Sequence, residues 1–378
     1  MRIIYATDIN AANIHNWSGL SWYYRKMLEG AGYTVTTLDT SIMPAPFFQK
    51  LKKQVVKKIQ HKQYTPRFSV SVSKYYASRI HSQVIPGATV LSPNTVVLAY
   101  LKKELKKVLY ADATFDSLLQ LYPKYSTYTK QCLKAGEAID RQAIANADLL
   151  IYTSQWAADS AIHHYGADPK KIAIVPFGAN LDLLPSGGEV ENSITNRLEQ
   201  RPVNLLFLGI DWVRKGGDYA LQVVTKLNDL GFPARLHIVG AKNLPPRMNE
   251  SFVVNHGFIS KATKEGQRKL GALLAASHFL LLPTLADCTP VACSEASAFG
   301  VPCITSDVGG LTSIVSNNIN GYTFSHRNFV ADAVQQIIHL METKNAYKEL
   351  CCSSYDRYTA ELNWTSVGSR IAQLVNNI

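Results

Sequence analysis

Short apolar runs alternate with helical patterns along almost the whole chain, and no other feature constrains the fold as strongly. Ile3-Ile4-Tyr5-Ala6 reads as a strand, and a helical pattern through Tyr23, Met27 and Leu28 follows, stopped by Gly30 and Gly32. Thr34–Leu38, Val108–Tyr110, Leu149–Tyr152 and Ile172–Pro176 read as further strands. A turn-forming stretch, Pro185-Ser186-Gly187-Gly188, comes next. The alternation then restarts with Leu205–Leu208, a helical pattern over Asp218–Leu230, and strands at Leu236–Val239, Phe279–Leu282 and Cys303–Thr305. Such a pattern predicts parallel sheets covered by helices on both faces. The 378 residues suit two domains, with the boundary expected near 176–200. An apolar share of 47% against 18% charged excludes wholesale disorder. The expected fold class is α/β, with two Rossmann-like, doubly wound halves and a ligand beyond the carboxyl ends of the strands.

Several functions are disfavoured by what is missing. Neither G-x-G-x-x-G nor G-x-x-x-x-G-K-[ST] occurs, which argues against a standard nicotinamide dehydrogenase and a P-loop NTPase. No H-E-x-x-H and no D-x-D occurs, so no metal site and no cofactor are expected. The six cysteines lack metal-ligand spacing and are expected reduced and structural. No apolar run nears the ~18 residues of a membrane span. The opening Met1-Arg2-Ile3-Ile4-Tyr5-Ala6-Thr7-Asp8 meets a charge too early for a secretory leader, so a cytoplasmic protein is expected.

The charge is lopsided. Residues 1–180 hold 22 Lys and Arg against 11 Asp and Glu, and residues 181–378 hold 17 against 17. Over Lys50–Lys62, lysines sit beside an apolar series of Phe47, Leu51, Val55, Val56 and Ile59 at helical spacing. This is either an amphipathic helix with a solvated lysine face or a basic helix resting weakly on anionic lipid. Nucleic acid is disfavoured, because no RNP, KH, zinc-finger or helix-turn-helix pattern accompanies the positive charge.

Three constellations carry the chemistry. In the first, a strand ends at Gly209 and is followed by Arg214-Lys215-Gly216-Gly217, with Asp218 expected to cap the next helix. Glycines allow close backbone approach, and a guanidinium beside an ammonium suits a diphosphate. In the second, Asp287 and Glu295 stand eight apart around Thr289-Pro290-Val291-Ala292. That suits either a helix start whose N–H groups hold phosphate, with carboxylates for sugar hydroxyls, or a plain cap at Asp287 with Glu295 at the surface. The third is Gly300-Val301-Pro302, then Gly309-Gly310 and Asn320-Gly321-Tyr322, read as glycine loops at a strand exit.

Taken together these residues resemble the C-terminal domain of family-4 retaining glycosyltransferases of GT-B architecture, bacterial polysaccharide type. The family's G-x5-K-G turn is matched by Gly209…Lys215-Gly216, and its E-x7-E element by Asp287…Glu295. Ala147-Asp148, Tyr152-Thr153-Ser154, Val175-Pro176-Phe177-Gly178-Ala179 and Leu362-Asn363-Trp364 extend the resemblance over nearly the whole chain. It implies an N-terminal acceptor domain over 1–180, a nucleotide-sugar donor domain over 181–355, and a C-terminal helix over 356–378 returning toward the first domain. The two domains are expected to face each other across a cleft. The implied activity is metal-independent, retaining transfer of a hexosyl unit from a nucleoside-diphosphate sugar, UDP or GDP among others, to a hydroxyl. The acceptor is a glycan, a lipid-linked sugar or a small molecule.

By the same resemblance Lys215, helped by Arg214, binds the diphosphate, and Glu295 binds the ribose. Asp287 touches the donor sugar, and N–H groups near Thr289, Pro290, Val291 and Ala292 hold phosphate or sugar oxygens. Phe258 and Ile259 lie by the base. Gly19, with Asn16, Trp17 and Ser18, forms the N-terminal loop near phosphates and acceptor. The chain departs from the family at three places: Asp287 replaces a Glu, Ile210 replaces an Arg, and Asp112 stands where many members have a His. Asp112 touches the donor sugar or steers the acceptor, or else caps its loop. The alternatives are an epimerase or phosphorylase of similar architecture, and a non-catalytic sugar-nucleotide binding protein.

Overall fold

The computed structural model describes residues 2–40, 47–84, 87–242, 244–245 and 250–378, with only the backbone of 47–50 and 60. The chain divides into two compact units, Met1–Val175 with Val367–Ile378, and Pro176–Ser366. Each unit is built on a six-stranded sheet whose neighbouring strands are all parallel.

The first sheet contains β1 (Arg2–Thr7), β2 (Thr34–Asp39), β3 (Thr89–Ser92), β4 (Lys106–Ala111), β5 (Leu149–Tyr152) and β6 (Ile172–Ile174). Their order is β2-β1-β3-β4-β5-β6. Winding therefore reverses between β1 and β3, where a crevice opens beyond the strand ends. The two strand exits are tied there: Thr7 Oγ1 and the Asp8 N–H both bond Asn94 Oδ1, at 3.2 and 3.3 Å. All four residues of β3 and of β5 are buried, as expected of parallel strands covered on both faces. One of the excess cations is not at the surface. Lys107 in β4 is 2% exposed, its ammonium bonded to the Leu105 carbonyl and 3.4 Å from Asp148.

The second sheet contains β7 (Val203–Leu208), β8 (Ala234–Val239), β9 (Val253–Asn255), β10 (Phe279–Leu282), β11 (Cys303–Ser306) and β12 (Gly321–Phe324). The order β12-β11-β10-β7-β8-β9 is the nucleotide-binding one, with winding reversed between β7 and β10. Phe279 pairs with Leu205 and Leu280 with Leu206, so the loops leaving these strands emerge side by side. The sequence leaves β3, β9 and β12 unassigned. It also places a cap at Asp218, whereas the helix there is Gly217–Asp229 with Gly216 as its N-terminal cap. The Asp218 carboxylate instead accepts from the buried Trp212 indole N–H at 2.9 Å.

Candidate active site

The loop after β7 and the loop after β10 clamp each other. The Arg214 carbonyl accepts from the Leu285 N–H at 2.8 Å and from Thr284 Oγ1 at 3.0 Å. The Arg214 guanidinium returns a bond to the Ala286 carbonyl at 2.7 Å. Gly216 makes this approach possible. It sits at φ +75, and a Cβ there would lie 1.8 Å from the Pro283 carbonyl oxygen.

This clamp delivers cations to carboxylates. Lys215 Nζ bonds Asp287 Oδ2, and both side chains are 13% exposed. The Arg214 guanidinium lies 3.6 Å from the same oxygen and 3.6 Å from Asp211. Asp287 is therefore a buried ion-pair partner rather than a cap. Glu295, eight residues on, is equally far from a surface residue. Its side chain is 4% exposed and its Oε1 receives Lys261 Nζ at 2.5 Å. Each carboxylate of the element thus carries its own lysine. Sequence reasoning missed Lys261, because the pairing spans 34 residues and no spacing rule points to it.

Glu295 sits within the helix Val291–Ser297, which has Pro290 at its N-terminal cap position. Thr289, Pro290 and Val291 are buried and Ala292 packs on the core. Ser294 anchors the helix by donating to the Phe177 carbonyl at 2.8 Å. The Cys288 carbonyl takes the Gly310 N–H at 2.8 Å, so the glycine pair after β11 frames the same site. The thiol of Cys293 is pushed up, first by the Cys303 thiol beside it and then by burial, and stays protonated inside the core. Gly209 closes β7 with its N–H on the Val239 carbonyl at 3.1 Å. Beyond β9, Phe258 is 59% exposed while Ile259 turns into the core.

The remaining expected residues lie in the first unit. Asn16–Gly19 is a single tight turn whose Trp17, Ser18 and Gly19 all have left-handed backbones, at φ 47, 56 and 89. Two of the three are not glycine, at about 1–2 kcal/mol each, and such local strain clusters at functional loops. The Trp17 ring stacks on Tyr24 at 6.0 Å, and the Tyr24 hydroxyl donates to the Tyr110 carbonyl at 2.7 Å. Burial, then neighbouring charges including Asp112 just past β4, push the Tyr24 hydroxyl up. Tyr24 and Tyr110, which the sequence did not single out, thus join the Trp17 loop to the surroundings of Asp112. Among the described residues no group of three or more His, Cys, Asp or Glu side chains is placed to hold a metal ion.

The two parallel sheets, with paired cations and carboxylates where winding reverses in the second, define a chain of the GT-B fold class. Residues 202–343 match the family model described as glycosyl transferases group 1. A D-inositol 3-phosphate glycosyltransferase of Geodermatophilus obscurus is 26% identical over 239 residues, covering 60% of this chain and 51% of the relative. The chain spans about half the length of the curated relatives it matches first. Among solved structures, sucrose-phosphate synthase from Thermosynechococcus elongatus superposes with a TM-score of 0.70 at 15% identity, over 100% of this chain and 99% of that one. Anabaena HepE, solved in complex with UDP-glucose, gives 0.65 at 13% identity over 100% of both.

Proposed function

We propose that this chain is a retaining, metal-independent glycosyltransferase of family 4 that moves a hexosyl unit from a nucleoside-diphosphate sugar to a hydroxyl. The observation that carries the proposal is the cation pair Arg214 and Lys215, fixed by backbone bonds at the carboxyl ends of β7 and β10. Negative charge that grows on a departing diphosphate meets donors already oriented in a partly buried site. Asp287 is the anion that Lys215 holds in the structure. A donor diphosphate takes over Lys215, and Asp287 is left free to accept from a sugar hydroxyl. The C1–phosphate bond breaks while the acceptor oxygen bonds C1 on the same face. The acceptor proton passes to the leaving phosphate oxygen, so no protein nucleophile is required. Glu295 accepts from the ribose.

The acceptor is an acidic or lipid-linked sugar met at an anionic membrane. In the helix Phe47–Gln60, Val56 packs with Tyr64 and Cys132 in a small core. Leu51, Val55 and Ile59, one turn apart in succession, are 48%, 45% and 73% exposed beside the exposed Lys53, Lys57 and Lys58. Residues 40–103 contain 11 Lys and Arg and no Asp or Glu. An apolar edge flanked by lysines suits weak, reversible contact with anionic lipid, where each cation contributes about 1 kcal/mol. No helix among the described residues is long and apolar enough to cross a membrane.

The transfer reading is tested by incubating the chain with UDP-, GDP- and ADP-hexoses and following the product anomer by NMR, with and without EDTA. An α-linked product from an α-configured donor, formed equally in EDTA, is expected. Inversion, loss of turnover in EDTA restored by Mn²⁺, or epimerised donor with no transfer contradicts it. The membrane reading is tested by vesicle co-sedimentation. Binding to anionic vesicles at low salt, lost on changing Lys53, Lys57 and Lys58 to Gln, is expected; equal binding to neutral vesicles contradicts it.

A further inference from the structure

The lysine on Glu295 is held in place by its surroundings. The Lys261 carbonyl accepts from Gln267 Nε2 at 2.8 Å, and Gln267 Oε1 accepts the Asp182 and Leu183 N–H groups at 3.1 and 3.0 Å. Gln267 is itself 6% exposed. The segment carrying Lys261 is therefore tied to residues 182–183 through Gln267. The Lys261 side chain is 22% exposed and reaches a carboxylate that is 4% exposed. A carboxylate so buried needs a cation beside it, because an unpaired buried charge is strongly disfavoured.

A hydroxyl both donates and accepts, whereas a carboxylate only accepts. Glu295 alone would use one capacity of a ribose hydroxyl and leave its oxygen to find another donor. The ammonium beside it supplies that donor. We propose that Lys261 and Glu295 read the ribose together: the hydroxyl donates to Glu295 while Lys261 donates to the same hydroxyl's oxygen. Lys261 is then a specificity-determining residue that selects ribonucleotide over deoxyribonucleotide donors. The proposal rests on the ribose role of Glu295 given above. Lys215 and Arg214 are assigned to the diphosphate, and Lys261 is the cation that contacts Glu295.

The test is calorimetric binding of UDP, GDP and ADP, each against its 2′-deoxy and 3′-deoxy counterpart. The wild type should prefer the ribonucleotide of the bound base over at least one deoxy form by about 10- to 100-fold, the scale of a charge-assisted hydrogen bond. In Lys261→Met this preference should fall to about threefold or less, with binding of inorganic diphosphate unchanged. If Lys261→Met does not fold, Lys261→Arg keeps a cation on Glu295 while moving its donors off the hydroxyl, and the same fall is expected. A folded Lys261 variant that keeps the full preference overturns the proposal. The two readings separate through Glu295→Gln. Unchanged nucleoside-diphosphate affinity there sinks the ribose role of Glu295 itself. Lost preference there, retained in Lys261→Met, sinks only the part assigned to Lys261.

Discussion

Gly216→Ala strikes the contact on which the site is built. The new Cβ would stand 1.8 Å from the Pro283 carbonyl, and real Cβ contacts under 3.0 Å are essentially unknown, so the two loops must part by 3.0 − 1.8, or 1.2 Å. The left-handed backbone adds a cost of about 1–2 kcal/mol that any non-glycine residue bears. Gly231 supplies the control: its φ is +73, close to the +75 of Gly216, but nothing lies within 4 Å of its Cβ position. Gly231→Ala therefore carries the backbone cost alone. Gly216→Ala adds overpacking of about 1–3 kcal/mol. For a unit of this size the difference is roughly 3–10 °C in melting temperature. Separation of the loops also displaces Arg214 and Lys215 by about 1 Å, a misplacement that costs on the order of 10²-fold in turnover. Thermal unfolding of both variants, with donor turnover measured alongside, checks the reasoning. Melting temperatures within about 1 °C of each other, with normal turnover in Gly216→Ala, would refute it.

Lys215→Ala should lower turnover by ~10²-fold or more, the scale of losing one oriented donor to the leaving group; a folded variant with near-normal turnover contradicts the assignment. Arg214→Ala should also lose stability, since its guanidinium ties down the Ala286 carbonyl. Two buried groups respond to acid in opposite senses. Burial pushes His278 down to about 4; its Nδ1 accepts from the Asn204 N–H and its Nε2 donates to the Arg197 carbonyl, which fits the neutral ring alone. The unfolded ring protonates near 6.5, so about 3 kcal/mol of the second unit's stability is lost as pH falls from ~6.5 to ~4. Burial pushes Asp140 up to about 6, so this group alone adds up to about 3 kcal/mol as pH falls from ~6 to ~4, when the folded carboxyl protonates ahead of the unfolded one, while His81 and Glu137 of the same unit, both shifted down, lose stability in acid. Unfolding followed against pH should show His278→Gln weakening the acid loss of stability and Asp140→Asn removing the acid gain; variants with the wild-type pH dependence contradict these assignments.

Most strands that the sequence reveals are runs of at least three apolar residues, such as Leu149–Tyr152 and Phe279–Leu282, because burial on both faces demands a continuous apolar stretch. The strand β3 escapes because its four buried residues begin with Thr and end with Ser. Gly321 reads as a turn residue, yet it opens β12. A Cβ there would lie 2.0 Å from the Cys303 carbonyl oxygen, so this glycine serves close packing on β11. In the site, Lys215 and Asp287 are visible as motif residues, but their bond joins loops 72 residues apart. Lys261 and Tyr24 gain their roles only from topology, which brings Lys261, beyond β9, to Glu295 and Tyr24 onto Tyr110. Asp218 shows the opposite error: a carboxylate at a helix start suggests a cap, but the nearby indole N–H of Trp212 takes it.

The most direct test of a donor site at the β7–β10 reversal is a thermal-shift titration with UDP-, GDP- and ADP-hexoses on the wild type, Lys215→Ala and Glu295→Gln. One donor series should stabilise the wild type by about 2.7 kcal/mol at 100 times its dissociation constant. Both variants should lose most of that shift at the same concentration. No stabilisation by any of the three at millimolar concentration, or an undiminished shift in both folded variants, contradicts the account.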